Sequence, residues 1–221
     1  MAQMIDSFQR KITYLRLSVT DRCNLRCLYC LPQSYHDFIP SPDLLSDNEC
    51  IRLVQAFAES GISKIRITGG EPTVRPGLID LISRIARIPG IDDIALSTNG
   101  ILLAKMAAGL RHAGLHRVNI SLDSLLEEKF KKITRFGSLD SVLEGIEAAF
   151  KVGLTPIKIN VVVARGFNDE EIASFVALTE KQPLHVRFIE LMPMGETGFF
   201  SKGKWVPKEE MLAKAGPLNP L

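Results

Sequence analysis

The sequence lacks an excess of charge of either sign and any long apolar run. Its 221 residues include 27 lysines and arginines and 25 aspartates and glutamates, so the net charge is only +2. This balance argues against a polyanion-binding surface, and thus against nucleic acid as a partner. No stretch approaches the roughly 18 apolar residues that span a membrane, and the N-terminal residues lack the apolar centre of a signal peptide. We therefore expect a cytoplasmic protein without a membrane partner.

Cysteine is also scarce, and its four residues are unevenly spread. Cys23, Cys27 and Cys30 have the spacing C-x3-C-x2-C within one predicted loop, whereas Cys50 stands alone in a predicted helix, where we expect a core thiol. This cluster is not the disulfide frame of a small secreted protein. Because a closed structural metal site or an ordinary [4Fe–4S] cluster takes four protein ligands, three thiolates leave one position open. The loop therefore predicts a metal centre with an open corner.

Two metal centres fit three thiolates. One is a [4Fe–4S] cluster whose free iron binds S-adenosylmethionine, so that an electron from the cluster cleaves the sulfonium to methionine and a 5′-deoxyadenosyl radical. The other is zinc, with a water or a distant histidine as fourth ligand. The sequence contains no H-E-x-x-H motif, no second C-x-x-C pair and no P-loop, and its four histidines are scattered. We favour the iron–sulfur interpretation.

The remaining sequence alternates short apolar strands with amphipathic helices. Most strand candidates are continuous β-branched runs, which are typical of parallel strands buried on both faces. The alternation predicts right-handed βαβ units, too few to close a TIM barrel. We therefore predict an α/β fold, a partial (β/α)6 TIM-like barrel with an open parallel sheet and outer helices, over residues 1–195. The strand candidates are Thr13–Val19, Lys64–Thr68, Asp92–Ser97, Arg117–Leu122, Ile157–Val163 and Val186–Leu191.

Glycines and polar residues follow these strands, at the end where parallel β/α folds place their active sites. Gly69 and Gly70 come directly after the second strand. Adjacent glycines either form a plain strand-to-helix turn or let the backbone approach a ligand closely, such as the amino group of a bound methionine moiety. Tyr29, between two cysteines, either covers the cluster or the adenine, or packs within the loop. Because the cysteines follow the neighbouring strand, we favour ligand binding by the glycines.

Four basic residues fall within the predicted strands: Arg16, Arg66, Lys158 and Arg187. A charge that points into a barrel is costly unless it is paired. If these side chains point inward, they form a cationic pocket for a phosphorylated substrate. If they point outward, they are solvated or paired with helix residues. Four such positions together favour the pocket.

The chain resembles the radical S-adenosylmethionine superfamily in its cysteine loop and preceding strand. Within that superfamily, its ordered blocks resemble those of the GTP 3′,8-cyclase family of molybdenum cofactor biosynthesis. The resemblance implies conversion of GTP to (8S)-3′,8-cyclo-7,8-dihydroguanosine 5′-triphosphate, started by abstraction of the ribose C3′ hydrogen. The blocks run through Tyr14–Cys23, Arg66–Pro72, Asn119–Ser124, Ile157–Asn160 and Arg187–Pro193.

The resemblance also implies roles for individual residues. The expected cofactors are a [4Fe–4S] cluster and S-adenosylmethionine. The expected partners are GTP as small-molecule substrate, an electron donor such as a flavodoxin, and a second copy of the chain in a homodimer. By residue, the implied roles are cluster ligation by Cys23, Cys27 and Cys30; S-adenosylmethionine contacts from Tyr29, Gly70, Ser121 and Met192; and GTP contacts from Arg16, Arg66, Ser97 and Lys158.

The sequence departs from the family after its last cysteine. Family members continue into a C-terminal region that holds a second [4Fe–4S] cluster, whereas no cysteine follows Cys50 here. We therefore expect residues 196–221 to begin an extension that is truncated or absent. Three alternatives remain: another radical S-adenosylmethionine enzyme acting on a peptide or a different nucleotide, a non-catalytic iron–sulfur protein, and an inactive fragment.

Overall fold

The computed structural model describes residues 4–193 and 197–218. Six strands, all parallel, form a single sheet in which each strand lies beside its neighbours in sequence, in the order β1 to β6. This open parallel sheet with outer helices confirms the predicted partial barrel. The strands are β1 Tyr14–Ser18, β2 Lys64–Thr68, β3 Asp93–Thr98, β4 Arg117–Ser121, β5 Ile157–Val163 and β6 Leu184–Glu190.

Helices connect the strands and cover the outer face of the sheet. The first begins at a capping box, in which the Ser46 hydroxyl accepts from the backbone N–H of Glu49 while the Glu49 carboxylate accepts from Ser46. No described helix has both the length and the apolar character needed to cross a membrane. The helices are α1 Asp47–Glu59, α2 Leu78–Ile85, α3 Leu103–His112, α4 Glu127–Thr134, α5 Leu139–Lys151, α6 Ile172–Lys181 and α7 Lys208–Ala215.

The two faces of the sheet differ in burial. Side chains that face the helices form the main core, and along β5 buried residues alternate with half-buried ones. The expectation that both faces are buried is therefore wrong for most of the sheet, although the centres of β3 and β4 are buried throughout. The second face borders the inside of the open barrel, here called the lumen, where polar side chains keep some exposure.

Residues 197–218 pack against the barrel. Val206 and Met211 are buried in the main core, and Arg165, after β5, forms an ion pair with Glu210 at 2.6 Å. The backbone N–H of Lys208 donates to the Glu190 carboxylate at 2.8 Å. The predicted domain border, between residues 195 and 196, lies outside the described residues and stays a prediction.

Candidate functional site at the carboxyl ends of the strands

The three clustered cysteines lie in the loop of residues 19–31, directly after β1. Burial raises the pKa of the Cys23 thiol, and the nearby charges of Glu71 and Cys30 raise it further. Burial also raises the pKa of Cys27, followed by the charges of Asp123, Cys30 and Cys23. These mutual effects mean that the three thiols lie near one another, with Cys30 exposed at the surface.

The donor set of the loop suits an iron–sulfur cluster. Three cysteine thiols in one loop, with Cys30 exposed, would leave one iron of a [4Fe–4S] cluster with an open coordination position. A zinc ion would need a fourth ligand beside the three sulfurs.

Helix α4 holds the cysteine loop from one side. The backbone N–H groups of Arg26 and Leu28 donate to the carbonyls of Thr134 and Ile133, at 3.2 and 2.9 Å. Arg135 follows the helix at a φ of +67°. Its Nη1 donates to the carbonyls of Arg26 and Leu31 at 2.8 and 3.1 Å, on either side of Cys27 and Cys30. The sequence analysis missed this helix, which has few apolar residues and a mostly charged composition.

The paired glycines after β2 hold the same loop from the other side. A Cβ on Gly69 would lie 2.2 Å from the Thr20 carbonyl oxygen, and a Cβ on Gly70 would lie 2.4 Å from the carbonyl oxygens of Asp21 and Arg22. The N–H of Gly70 donates to Thr20 at 2.7 Å. The close approach that the glycines permit is therefore to the backbone of the cysteine loop, which the sequence analysis did not foresee. The contact of Gly70 with S-adenosylmethionine stays a prediction.

Glu71 joins the strand ends beneath the loop. Its carboxylate is buried and accepts from the backbone N–H and hydroxyl of Thr73, at 3.0 and 2.6 Å. It also accepts from the Thr98 hydroxyl at 2.7 Å and the Asn99 N–H at 2.6 Å. Asn99 in turn donates to Asn24 in the cysteine loop at 2.8 Å. Because four donors satisfy this carboxylate, it connects β2, β3 and the loop in one fixed arrangement.

A half-buried tyrosine and a buried aspartate form a pair at the inner side of the loop. The Tyr29 hydroxyl donates to Asp123 at 2.5 Å, and the second Asp123 oxygen accepts from the Val162 N–H at 2.8 Å. Burial raises the pKa of Asp123 to about 6, although both hydrogen bonds oppose the shift. Burial and the adjacent carboxylate raise the pKa of Tyr29 well above its usual value. Tyr29 is thus a neutral donor fixed by Asp123, a residue to which the sequence analysis gave no role.

Tyr29 also lines a cavity of about 360 Å³ together with Cys30 and Met192. Behind it, Phe199 packs against the tyrosine with ring centroids 6.5 Å apart. The cavity lining is mostly apolar, with Val162, Ile189 and Leu191, and also includes the Cys30 thiol and Glu190. Two residues predicted to contact S-adenosylmethionine and one predicted cluster ligand meet in it.

The lumen contains a group of cations. Arg16 and Arg66 are register partners on β1 and β2. Burial lowers the pKa of Arg66, and the charges of Arg187, Arg117 and Arg16 lower it further, against a raising effect of Tyr14. Burial lowers the pKa of Lys158 too, with Arg187, Arg117 and Arg66 as the nearby charges that act in the same direction. These side chains therefore point inward together, as the pocket interpretation predicts. We call Arg16, Arg66, Arg117, Lys158 and Arg187 the lumen cations.

One lumen cation is neutralised within the chain. Arg117 forms an ion pair with Asp93 on the neighbouring strand. The sequence analysis missed both residues, although their strand positions were the available signal. Arg66 instead stacks its guanidinium over the Tyr14 ring at 5.3 Å. Ser97 is half-buried on the lumen side of β3, and Ser121 is exposed at the end of β4. The predicted site residues thus form two neighbouring groups, one at the strand ends and one in the lumen.

Comparison with known proteins agrees with this arrangement. Residues 17–179 match the radical SAM superfamily. The GTP 3′,8-cyclase of Pelotomaculum thermopropionicum is 50% identical over 221 residues, which cover 98% of this chain and 68% of that protein. The chain belongs to the GTP 3′,8-cyclase family of the radical SAM superfamily. The GTP 3′,8-cyclase of Syntrophomonas wolfei is 54% identical over 210 residues, covering 95% of this chain and 64% of that protein. The chain thus spans about two thirds of the length of these relatives. Proteins of this family use a [4Fe–4S] cluster and S-adenosylmethionine.

Solved structures agree on the fold. A radical SAM methyltransferase from Sphaerobacter thermophilus superposes with a TM-score of 0.71 at 16% identity, over 96% of this chain and 64% of that one. HydG, a maturase of the [FeFe]-hydrogenase, gives a TM-score of 0.69 at 15% identity, over 91% and 48%. At these identities the likeness concerns the barrel alone.

Proposed function

We propose that this chain is the radical-generating part of a GTP 3′,8-cyclase, which converts GTP to (8S)-3′,8-cyclo-7,8-dihydroguanosine 5′-triphosphate in molybdenum cofactor biosynthesis. The observation that carries the proposal is the adjacency of two groups in one open barrel. Three neighbouring thiols lie in the loop that follows β1, and the lumen cations include Arg16 on β1 and its register partner Arg66 on β2. This combination suits a radical reaction on a phosphorylated nucleotide better than it suits electron transfer alone.

The cysteine loop and the residues that hold it generate the radical. Cys23, Cys27 and Cys30 hold the cluster, which, when bound, supplies the electron that cleaves S-adenosylmethionine. Tyr29 is held by Asp123 at 2.5 Å and so keeps one orientation beside Cys30. Phe199 and Leu191 form a small apolar cluster against which Tyr29 packs. We assign S-adenosylmethionine to this cavity, with Tyr29 and Met192 as contacts from its lining. Gly70 and Ser121 do not line the cavity, and their contacts with S-adenosylmethionine stay predictions.

The lumen binds the nucleotide substrate. Arg16, Arg66 and Lys158 are positioned to bind a triphosphate, because their mutual repulsion falls when an anion enters. Ser97 adds a hydroxyl on the same face of the sheet. Reduction of the cluster needs an external donor, for which a flavodoxin-type protein is our prediction. A homodimer, the cytoplasmic location, and a division into a core of residues 1–195 and an extension from residue 196 also stay predictions.

Anaerobic reconstitution tests whether the chain generates the radical. The chain is loaded with iron and sulfide, reduced with dithionite, and incubated with S-adenosylmethionine. We expect 5′-deoxyadenosine, and its absence from fully loaded chain would reject a radical-generating role. Cys27→Ser should abolish the visible absorbance of the cluster. The matched control is Cys50→Ala, since Cys50 is buried in the core away from the loop and its removal should leave the absorbance unchanged.

Equilibrium binding of GTP tests whether the lumen cations bind the substrate. We expect the cluster-loaded chain to bind GTP, and Arg66→Gln to weaken that binding about tenfold, since one charge-assisted contact to phosphate is lost. A Lys105→Gln variant, which removes an exposed charge on α3, serves as control. Binding of GTP that is indifferent to Arg66 would favour a radical enzyme with another substrate.

A further inference from the structure

Asn119 is a buried polar side chain without a partner. It lies in the middle of β4 and is only 1% exposed. Neither its Nδ2 nor its Oδ1 has a hydrogen-bond partner among the described residues. Buried amides are almost always satisfied in folded proteins, so an orphaned one needs a specific explanation. A simple packing role does not provide one, because an apolar residue of the same shape would fill the space without the cost of desolvation.

The side chain of Asn119 faces the lumen. Its neighbours Val118 and Ile120 are part of the core under the helices, and successive residues of a strand point to opposite faces. Asn119 is in register with Ser97 on β3 and with Lys158 on β5. The amide therefore lies between two residues to which the proposed function gives substrate contacts, and it belongs to the same site.

The position of Asn119 along β4 indicates which part of a bound nucleotide would lie beside it. Along the same face of β4, Arg117 lies two residues before it and Ser121 two residues after it. Arg117 is level with Arg66 and Arg16 in the sheet register, where the phosphates would be bound. Ser121 is at the carboxyl end, where S-adenosylmethionine is assigned. Asn119 is level with Lys158 and thus two residues nearer the cofactor than Arg16 and Arg66. Lys158 would contact the phosphate next to the sugar, and Asn119 the sugar itself.

The chemistry of an amide points to the same group. Asn119 offers both a free donor and a free acceptor. An ionised phosphate only accepts hydrogen bonds, so it would leave Oδ1 unsatisfied, whereas a hydroxyl both donates and accepts. We propose that Asn119 binds a ribose hydroxyl of the nucleotide substrate and thereby fixes the sugar beneath the cofactor. This inference rests on the proposed function, since it assumes that the lumen binds a nucleotide.

The experiment compares ligands that differ by one hydroxyl. Dissociation constants of the cluster-loaded chain are measured for GTP, 2′-deoxy-GTP and 3′-deoxy-GTP, with the parent chain and with Asn119→Leu, a change that keeps the size of the side chain. We expect the parent to bind GTP about tenfold more tightly than one of the deoxy analogues. Asn119→Leu should lose that preference by weakening GTP alone. Arg66→Gln should weaken all three ligands by the same factor and is the matched comparison.

The outcomes separate the possible failures. If the parent binds no GTP, the proposed function falls and this inference falls with it. If the parent binds GTP but Asn119→Leu changes nothing, or weakens all three ligands equally, the inference alone is overturned. The variant is also tested with S-adenosylmethionine, which has a ribose of its own. A loss confined to that ligand would overturn the assignment to the substrate. Asn119→Ala, which cannot overpack the strand, repeats the comparison independently of any folding defect in the leucine variant.

Discussion

The strand-end region and the lumen differ in how the chain treats its polar groups. Around the cysteine loop, the polar side chains are engaged with other parts of the chain: Glu71 accepts four hydrogen bonds, and Arg135 spans two carbonyls. In the lumen, Asn119 has no partner among the described residues, and the Nε of Arg66 is also unsatisfied. In the cysteine loop, Asp21 Oδ1 and Arg26 Nε are unpaired too, but both side chains have other hydrogen-bond partners. Within the described part of the chain, neither polar atom of Asn119 has one, so the lumen contains the less satisfied side chain.

The difference teaches which substitutions should harm folding and which should harm binding. A site that is fixed before its cofactor arrives requires support from surrounding hydrogen bonds, so breaking a support costs stability. Like charges and orphaned amides cost stability by themselves, so removing them should leave folding intact or improve it. Substitutions at four residues test this contrast, in order of expected effect.

Gly70→Ala should have the largest effect. The new Cβ would lie 2.4 Å from two carbonyl oxygens of the cysteine loop, and backbone atoms cannot move aside as a flexible side chain does. We expect the loop to be displaced, with a loss of at least about 3 kcal/mol of stability and little cluster uptake. Urea unfolding and the iron and sulfide content after reconstitution measure both.

The control for Gly70→Ala is Gly203→Ala. The nearest atom to a Cβ on Gly203 is the Ser201 hydroxyl oxygen at 4.0 Å, and neither glycine has a positive φ. The two variants therefore differ in contact alone. Normal cluster content in Gly70→Ala would mean that the loop tolerates displacement, and the strand-end region would not be the rigid part of the molecule.

Asp123→Asn should change how stability depends on pH. The pKa of Asp123 is about 6 in the folded chain, against about 3.9 when unfolded. Between these values the folded state binds more protons than the unfolded state, so stability falls as pH rises from about 4 to about 6 and is constant above. The loss of stability across this pH range totals about 3 kcal/mol, and a chain with asparagine at this position does not undergo it.

The measurement is urea unfolding of the cluster-free chain across this pH range. Asp123→Asn also alters the bond to Tyr29, but that adds a constant offset, so the difference between the two pH profiles is what counts. The stability of the variant relative to the parent should rise between about pH 4 and pH 6. Parallel profiles would show that Asp123 ionises normally and that its burial carries no cost.

Arg135 gives a smaller effect with an internal comparison. Arg135→Ala removes two charge-assisted bonds to the loop and should cost about 2 kcal/mol. Arg135→Gly removes the same bonds but relieves a φ of +67°, so it should be about 1 kcal/mol more stable than the alanine variant. Urea unfolding of both, with the exposed Arg87→Ala as control, checks the order. Equal stability of the two variants would mean that the backbone is not strained there.

Local pattern was enough to predict most of the barrel. The alternation of strands with amphipathic helices was anticipated, and all six strand candidates agree with the observed strands to within two residues at each end. Helix α4 was missed because Phe130 and Ile133 are its main apolar residues and its surface is charged. Its hydrogen bonds to the cysteine loop join residues more than 100 positions apart in sequence, which a local pattern does not reveal.

The candidate site was predictable where residue type alone implies chemistry. Clustered thiols and cations within strands are unusual enough to be noticed in a sequence. Asp123 and Asn119 are ordinary residues near a strand end, and only burial and the lack of a partner make them informative. The glycine pair was noticed, but its neighbour was taken to be a ligand because a sequence does not reveal which backbone passes beside it.

Arg66→Gln should have the smallest effect on folding and the opposite sign. Burial and three neighbouring cations disfavour the Arg66 charge more than its stack on Tyr14 favours it, so removing it should raise stability slightly, because solvent screens the repulsion, while GTP binding weakens. Salt screens repulsion, so the parent should also gain more stability from added salt than the variant does. Thermal unfolding of the cluster-free chain at low and high salt measures this, with Lys105→Gln as the surface control. If Arg66→Gln is less stable than the parent, the arginine stabilises the fold. The lumen side chains would then be stabilised by contacts within the chain, as those of the cysteine loop are.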